Sequence, residues 1–298
     1  SEGATLTGVL ARPSQEFFPA TDRRDIEAGA ASLFLLERPL WETPLRRTLE
    51  RYLEFVGAWQ IGEDGDEQGA RLRGIDPALA EVMKVMKEAN RLGTMGITAA
   101  PSEAALVREA DFVAISARDW TDPAAFEQIL PGRHPHLTLS LRPLDPGDRA
   151  QAVRAQTADF LKKIIHARAA GTSEIYVPLV DLLDGYGYPT ASALAFRAAN
   201  DVLTGVRHQK GMSLFPSPIR DFVFEKGEQT IVALWSESGI QEREAFLGSN
   251  AQVVDPLGGV TPLSPGQRLR VGEVPLFIVG VDSFLLRTQL ALQFYEVG

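Results

Sequence analysis

Short apolar runs alternate with amphipathic segments over the first two-thirds of the chain. Apolar runs bounded by glycine, proline or polar residues indicate strands, and apolar positions spaced by about 3.6 residues indicate helices. The clearest helix runs from Asp148 to Ala170, just before Gly171. The pattern predicts six strands, at residues 4–11, 55–62, 92–99, 111–118, 136–143 and 174–181.

Strands that alternate with helices predict βαβ units and a parallel sheet, hence an α/β fold. An open doubly wound sheet and a barrel both fit the strand count, although a complete barrel needs eight strands. After Gly205 only strands are predicted, including one over 283–298, and they are separated by turns such as Gly258-Gly259. Short strands between regular turns favour a β-sandwich. We therefore expect a barrel-like domain at 1–207 and a sandwich at 208–298.

The composition excludes several classes of function. The formal net charge is −9, so a nucleic-acid partner, which needs a basic surface, is not expected. The chain has no cysteine, so disulfides and thiolate chemistry are excluded. No apolar stretch reaches the roughly 18 residues of a membrane span, and no membrane partner is expected. The amino terminus has no signal pattern, but a signal peptide could have been removed before Ser1, as in a secreted or periplasmic protein.

An acidic cluster follows the second predicted strand. In parallel α/β sheets, functional groups lie just past the carboxyl ends of the strands, so the cluster is a candidate site. It could equally be a solvated loop in which Asp64 or Glu63 caps the following helix or pairs with Arg71 or Arg73. Its spacing could suit a hard cation, but the full calcium-loop pattern is missing, so no metal and no cofactor is expected. Four carboxylates make up the cluster: Glu63, Asp64, Asp66 and Glu67.

Polar and aromatic residues also follow the last parallel strand. Asp181 and Asp184 stand close to Tyr186 and Tyr188 in the sequence. Carboxylates accept hydrogen bonds from hydroxyl groups, and aromatic faces stack on sugars, so this combination suits a carbohydrate ligand. The alternative is that aspartate and glycine shape the turn before Pro189.

Two arginines follow other strands of the series. Arg118 is followed closely by Trp120, and Arg142 ends the strand predicted at 136–143. Guanidinium groups fit carboxylates, so both arginines could hold an acidic sugar. They could also neutralise the acidic cluster without any role in binding.

These segments together resemble the clan A glycoside hydrolases. The fragment Trp59-Gln60-Ile61-Gly62-Glu63-Asp64 resembles the end of the family's fourth strand, and the stretch from FVFEKGEQTIVALWS to VPLFIVG resembles its accessory sandwich. The resemblance implies a partial or complete TIM-type (β/α) barrel followed by a small antiparallel β-sandwich, and a carbohydrate substrate. It implies Asp64 as the proton donor, with Glu63 as the alternative.

The sequence departs from the family pattern in two ways. If 55–62 is the fourth strand, the first two strands are missing, so the chain could be a fragment or be completed by another chain. The family's nucleophile would follow the strand at 136–143, where Ser140 and Arg142 stand and no carboxylate occurs before Asp145. Asp181 or Asp184 could take its place. The expected function is a glycoside hydrolase; the alternative is a pseudoenzyme that binds glycans or serves in assembly.

Overall fold

The computed structural model describes the chain from Leu6 to Thr288, with several gaps. It divides into two compact units, the first made of residues 1–118, 129–138 and 174–176, and the second of 119–128, 139–173 and 177–298. The gaps are residues 12–28, 53, 65, 67–68, 73, 90–92, 101–102, 104–106, 118–134, 145–146, 173 and 245.

The first unit is built on a six-stranded sheet whose strands are neighbours in chain order. Strands β1 to β4 pair in parallel, as do β5 and β6, which confirms the predicted parallel α/β sheet. The strands are β1 (Leu6–Leu10), β2 (Val56–Ile61), β3 (Thr94–Thr98), β4 (Phe112–Ala117), β5 (Pro135–Leu139) and β6 (Glu174–Tyr176).

One face of this sheet is apolar. Trp59 pairs in register with Met95, and the ring of Trp59 covers Gly8 on β1. A Cβ atom on Gly8 would lie 2.6 Å from that ring, so only glycine fits there. Ile61 and Ile97 continue the face and are fully buried. Buried branched and aromatic side chains of this kind supply the hydrophobic stabilisation of the sheet.

The other face carries small, polar and aromatic residues. Ala58 and Gln60 alternate with the apolar residues of β2, and Phe112 on β4 lies across Gly96 of β3. His136 on β5 stacks on Phe112, with 3.7 Å between ring centroids. Because side chains alternate between the faces of a strand, these residues share the face opposite Trp59.

The sheet curls towards this second face. Thr7 on β1 and Tyr176 on β6 belong to the two outer strands, yet their side chains are hydrogen-bonded to each other. By register, Thr7 shares a face with Ala58, and Tyr176 shares one with Thr138. The polar face is therefore the concave one, as in a barrel whose small and polar residues line the interior.

The described residues of the first unit include the helices α1 (Arg38–Tyr52) and α2 (Ile75–Ala89). Trp41 of α1 is buried and meets Phe34 edge-to-face, with ring centroids 5.5 Å apart. Phe34 belongs to a 3-10 helix at Ala30–Leu35. A second 3-10 helix lies at Gly69–Arg71.

In the described residues of the second unit, the helices α3 (Arg149–Ala169), α4 (Leu179–Leu182) and α5 (Ala191–Leu203) precede the antiparallel strands. Asp148 caps α3, since its carboxylate accepts the N–H groups of Ala150 and Gln151. The strands are β7 (Arg207–His208), β8 (Ile219–Lys226), β9 (Gln229–Ser236), β10 (Gln241–Glu244), β11 (Gln252–Val254), β12 (Val260–Pro262), β13 (Arg268–Val271) and β14 (Leu276–Val281).

These strands form the predicted sandwich. The larger sheet has the order β12-β11-β14-β9-β8-β7, and β10 pairs with β13 in a two-stranded sheet. Their shared core is mainly aliphatic and includes the buried side chains of Val232, Leu269 and Ile278. Strand β7, at Arg207–His208, is part of the larger antiparallel sheet. The domain boundary expected between residues 207 and 208 stays a prediction.

Three predicted strands differ from the structure. The strand predicted at 136–143 ends at Leu139, and the N–H of Leu141 bonds to the carboxylate of Asp181 instead of a neighbouring strand. The strand predicted at 174–181 ends at Tyr176, because Pro178 begins the short helix α4. The strand predicted from residue 283 is helical over 283–288, and the carboxylate of Asp282 accepts the N–H groups of Phe284 and Leu285 at the start of that helix.

Candidate functional site

Asp64 is held in place at the carboxyl end of β2. Gln60, buried on the concave face, donates from Nε2 to the carbonyl oxygen of Gly62 (3.0 Å) and to Oδ1 of Asp64 (3.2 Å). Asp64 itself is half-buried. A buried amide that bonds both the turn and the carboxylate fixes the position of Asp64 relative to the strand end.

The turn after β2 is closely packed against β3. Gly62 has a φ of 94°, which favours glycine, and a Cβ atom there would lie 2.2 Å from Oγ1 of Thr98. The hydroxyl of Thr98 donates to the carbonyl oxygens of Ile61 and Asp66. The turn that carries Asp64 is therefore tied directly to the neighbouring strand.

The other members of the acidic cluster have different surroundings. Oδ2 of Asp66 accepts the N–H of Ala30 at 3.0 Å, at the start of the first 3-10 helix. Glu63 is exposed to solvent. Glu67 lies outside the described residues. Asp66 thus caps the preceding 3-10 helix, whereas the sequence suggested a cap on the following helix, and the carboxylate of Asp64 bonds to Gln60 at the end of β2.

Glu103 is a carboxylate that the sequence reasoning missed. It follows β3, its side chain is only 13% exposed, and Oε1 accepts a hydrogen bond from Nε of Arg71. Oε2 is buried and has no hydrogen-bond partner among the residues that the structure describes. Arg71 therefore pairs with Glu103, whereas the sequence suggested that Arg71 could pair with the acidic cluster. The signal that points to Asp64 is a carboxylate just past the end of a strand. Glu103 carries the same signal after β3.

Asp181 and the segment that carries Arg142 come together in the second unit. Oδ2 of Asp181, in α4, accepts the N–H of Leu141 at 3.2 Å. The adjacent Arg142 is exposed, and its carbonyl oxygen accepts a hydrogen bond from Gln156. The segments that follow β5 and β6 are thus joined through a carboxylate.

Asp184, Tyr186 and Tyr188 form one tight turn. Oδ1 of Asp184 accepts the N–H groups of both tyrosines, each at 2.9 Å. The carboxylate thus shapes the turn, as the alternative interpretation held. The tyrosines are 89% and 68% exposed, so the turn presents two aromatic rings to solvent.

The remaining predicted site residues, Arg118 and Trp120, lie outside the described residues. Asp64 belongs to the first unit, and Asp181 and Asp184 belong to the second. The pairing of Asp64 with Asp181 therefore stays a prediction.

The described part of the chain holds no group of three or more potential ligands that could bind a metal ion. Within the same residues, no helix is both long and apolar enough to cross a membrane.

Comparison with known proteins places the fold. No protein-family model and no curated protein matches the sequence. Among solved structures, a glycoside hydrolase family 30 subfamily 8 xylanase from Clostridium acetobutylicum is 9% identical and has a TM-score of 0.54, covering 93% of this chain and 89% of its own. The fold is that of the TIM-barrel glycoside hydrolases.

Two further solved structures are similar to this fold, at similarly low sequence identity. The family 30 endoxylanase of Clostridium papyrosolvens C71 is 9% identical, with a TM-score of 0.50 over 81% of this chain and 70% of its own. Amy13B of Eubacterium rectale is 8% identical, with a TM-score of 0.50 over 84% of this chain and 65% of its own. The partial TIM-type barrel expected from the sequence is thus confirmed, and identities this low carry the fold alone.

Proposed function

We propose that this chain binds a carbohydrate and hydrolyses a glycosidic bond with carboxylates at the carboxyl ends of its parallel strands. The observation that carries the proposal is Asp64, held by the buried amide of Gln60 where the concave polar face meets the end of β2. The fold shared with glycoside hydrolases supports a sugar as the substrate. Nothing in this mechanism requires a cofactor.

Glycosidic hydrolysis uses two carboxyl groups, one to protonate the leaving oxygen and one to act as nucleophile or base. We assign Asp64 to one role and Asp181 to the other, with Glu63 as the alternative to either. The required separation is about 5–5.5 Å for retention and about 6.5–9.5 Å for inversion.

The sugar-binding groups in the proposal are the exposed tyrosines 186 and 188, on the turn shaped by Asp184. Their rings can stack on the apolar faces of a sugar. Other proposed contacts to hydroxyl or carboxylate groups of the substrate come from Arg118, Trp120 and Arg142.

The test is release of reducing sugar from a panel of polysaccharides and nitrophenyl glycosides. Asp64→Asn keeps the size of the side chain but removes its proton chemistry, and we expect the rate to fall by about a hundredfold or more. Glu228→Gln, in the exposed turn between β8 and β9, is the matched control and should retain full activity. Equal rates for Asp64→Asn and the wild type would exclude Asp64 from catalysis.

A second candidate is a pseudoenzyme that binds glycans or serves in assembly without hydrolysing them. It is favoured by the segment after β5, where the described residues 140–144 are Ser-Leu-Arg-Pro-Leu and offer no carboxylate. Glycan binding without any sugar release, unchanged in Asp64→Asn, would establish this alternative. Absence of both binding and hydrolysis across the panel would reject both candidates.

We also propose, as a separate possibility for the native protein, that another chain or a longer amino-terminal portion completes the barrel. Strands β1 and β6 are the outer strands of the sheet. Two strands inserted between them would need roughly 14 Å at a spacing of about 4.8 Å, so the hydrogen bond between Thr7 and Tyr176 would have to open. A native species heavier than 32.5 kDa would support completion. A species of 32.5 kDa that hydrolyses the substrate alone would contradict it.

A further inference from the structure

A cavity of about 460 Å³ lies wholly within the second unit, beside α3 and the antiparallel strands. It is within the usual size range of small-molecule sites. Its walls are mainly aliphatic, and its rim includes Leu257, which is 54% exposed. The aliphatic wall residues are Val153, Pro256, Leu257, Val274 and Leu276.

Two arginines give this apolar cavity a positive character. Arg154 of α3 and Arg270 of β13 both line it, and Asp255 is the one carboxylate among the described lining residues. The lining therefore has a net charge of plus one, in a chain whose formal net charge is −9. No hydrogen bond or ion pair engages either guanidinium group in the part of the chain that the structure describes.

The single carboxylate is committed to its own turn. Oδ1 of Asp255 accepts the N–H of Leu257 at 2.7 Å and the N–H of Gly259 at 2.9 Å. These bonds shape the turn between β11 and β12, and the hydroxyl of Thr157, which also lines the cavity, donates to the carbonyl oxygen of Val153. The two guanidinium groups are therefore the side-chain N–H donors that the described lining offers to an anion. Each can offer a fork of N–H donors to an anion.

A neighbouring cavity of about 440 Å³ shares Arg154 and Ala150 with the first, but it also contains Glu273. The lining of this second cavity therefore has no net charge, and Arg154 belongs to both cavities. Only the larger cavity places a second arginine, Arg270, beside Arg154, and this pair makes it the candidate anion site.

The geometry points to a binding site in this cavity for a small carboxylate carried on an apolar body. The guanidinium groups of Arg154 and Arg270 bind the carboxylate, and the aliphatic wall covers the apolar part. No aromatic side chain is among the described lining residues, so a sugar ring would find no face to stack on. This site is independent of the proposed glycosidic chemistry.

Isothermal titration calorimetry of the whole chain with 4-phenylbutyrate and hexanoate tests the site. We expect a Kd at or below about 1 mM for at least one of them. The alcohols that correspond to these two acids have the same apolar body without the charge, and acetate has the charge without the apolar body. Each of these probes should bind at least about tenfold more weakly than the acids do. Raising the ionic strength should weaken carboxylate binding.

Variants then locate the binding. Arg154→Gln and Arg270→Gln should each weaken binding by about tenfold, since each removes a charged hydrogen-bond donor. Arg197→Gln, at an exposed position on α5 outside the cavity, is the control and should bind as the wild type does. Leu257→Asp places a negative charge at the exposed rim and should also weaken binding, whereas Leu257→Asn should do so less.

Three results would overturn the proposal. The first is that no carboxylate of the panel binds. The second is that the alcohols bind as tightly as the acids. The third is carboxylate binding that survives both arginine substitutions, with each variant shown to be folded by circular dichroism.

Discussion

Substitution of Gly62 by alanine should destabilise the turn that carries Asp64. The φ of Gly62 is 94°, and a Cβ atom would lie 2.2 Å from Oγ1 of Thr98. No side chain can be accommodated there unless the backbone of the turn or the side chain of Thr98 moves.

The magnitude follows from two terms. An L-residue held at positive φ costs about 1–2 kcal/mol. Displacement of Thr98 breaks the hydrogen bonding of its hydroxyl to the carbonyl oxygens of Ile61 and Asp66, which costs about 1 kcal/mol more. Gly62→Ala should therefore lower the free energy of unfolding by roughly 2–3 kcal/mol.

The assay is urea denaturation monitored by tryptophan fluorescence. Trp59 lies on β2, the strand that leads into the turn at Gly62, and serves as the reporter. In a Thr98→Ala background, which lacks the colliding hydroxyl, Gly62→Ala should cost about 1 kcal/mol less. Gly185→Ala is the matched control, because a Cβ atom there would meet no atom within 4 Å, and it should change stability by less than about 0.5 kcal/mol. A cost below about 0.5 kcal/mol for Gly62→Ala, or equal costs in both backgrounds, would show that neither the backbone at Gly62 nor the contact with Thr98 constrains the turn.

Two pH-dependent predictions follow from other contacts of the first unit. Burial and, second, a hydrogen bond with Glu174 raise the pKa of Tyr176 from 10.0 to about 12. As the pH rises, the unfolded chain therefore loses the phenolic proton of Tyr176 before the folded chain does. The free energy of unfolding should fall between about pH 10 and about pH 12. Tyr176→Phe should remove this contribution to the loss of stability, measured by urea denaturation at each pH. An unchanged pH dependence of the free energy of unfolding in the variant would contradict the prediction. The hydrogen bond from Arg38, followed by that from Arg46, lowers the pKa of Glu42 from 4.5 to about 2, so its stabilisation is present above pH 4.5 and is lost as the pH falls to 2. Glu42→Gln should flatten the acid side of the stability profile, and a profile identical to the wild type would argue against this ion pair.

The parallel sheet could be predicted because its inner strands are buried apolar runs, and amphipathic helices lie between strands along the chain. The same rule failed at the end of β6, where an apolar run continues past Tyr176. Leu179 and Val180 of that run are 67% and 82% exposed, so their apolar character does not reflect a buried strand. Pro178, which has no N–H group, precedes α4 at this point.

The candidate site could be predicted only in part. Its position at the carboxyl end of β2 follows from the strand pattern, and so does the turn chemistry of Asp184. The contact between Gly62 and Thr98, and the ion pair of Arg71 with Glu103, join residues 36 and 32 positions apart in the chain. Such contacts depend on strand order and register, which a single sequence does not specify.

The most direct test of the account is an experimental structure of the chain with a bound oligosaccharide, and the quantity to read is the distance between the carboxyl groups of Asp64 and Asp181. We expect a separation within about 10 Å, with the glycosidic oxygen between the two groups. A sugar bound away from Asp64, or carboxyl groups much farther apart than about 10 Å, would contradict the proposed chemistry.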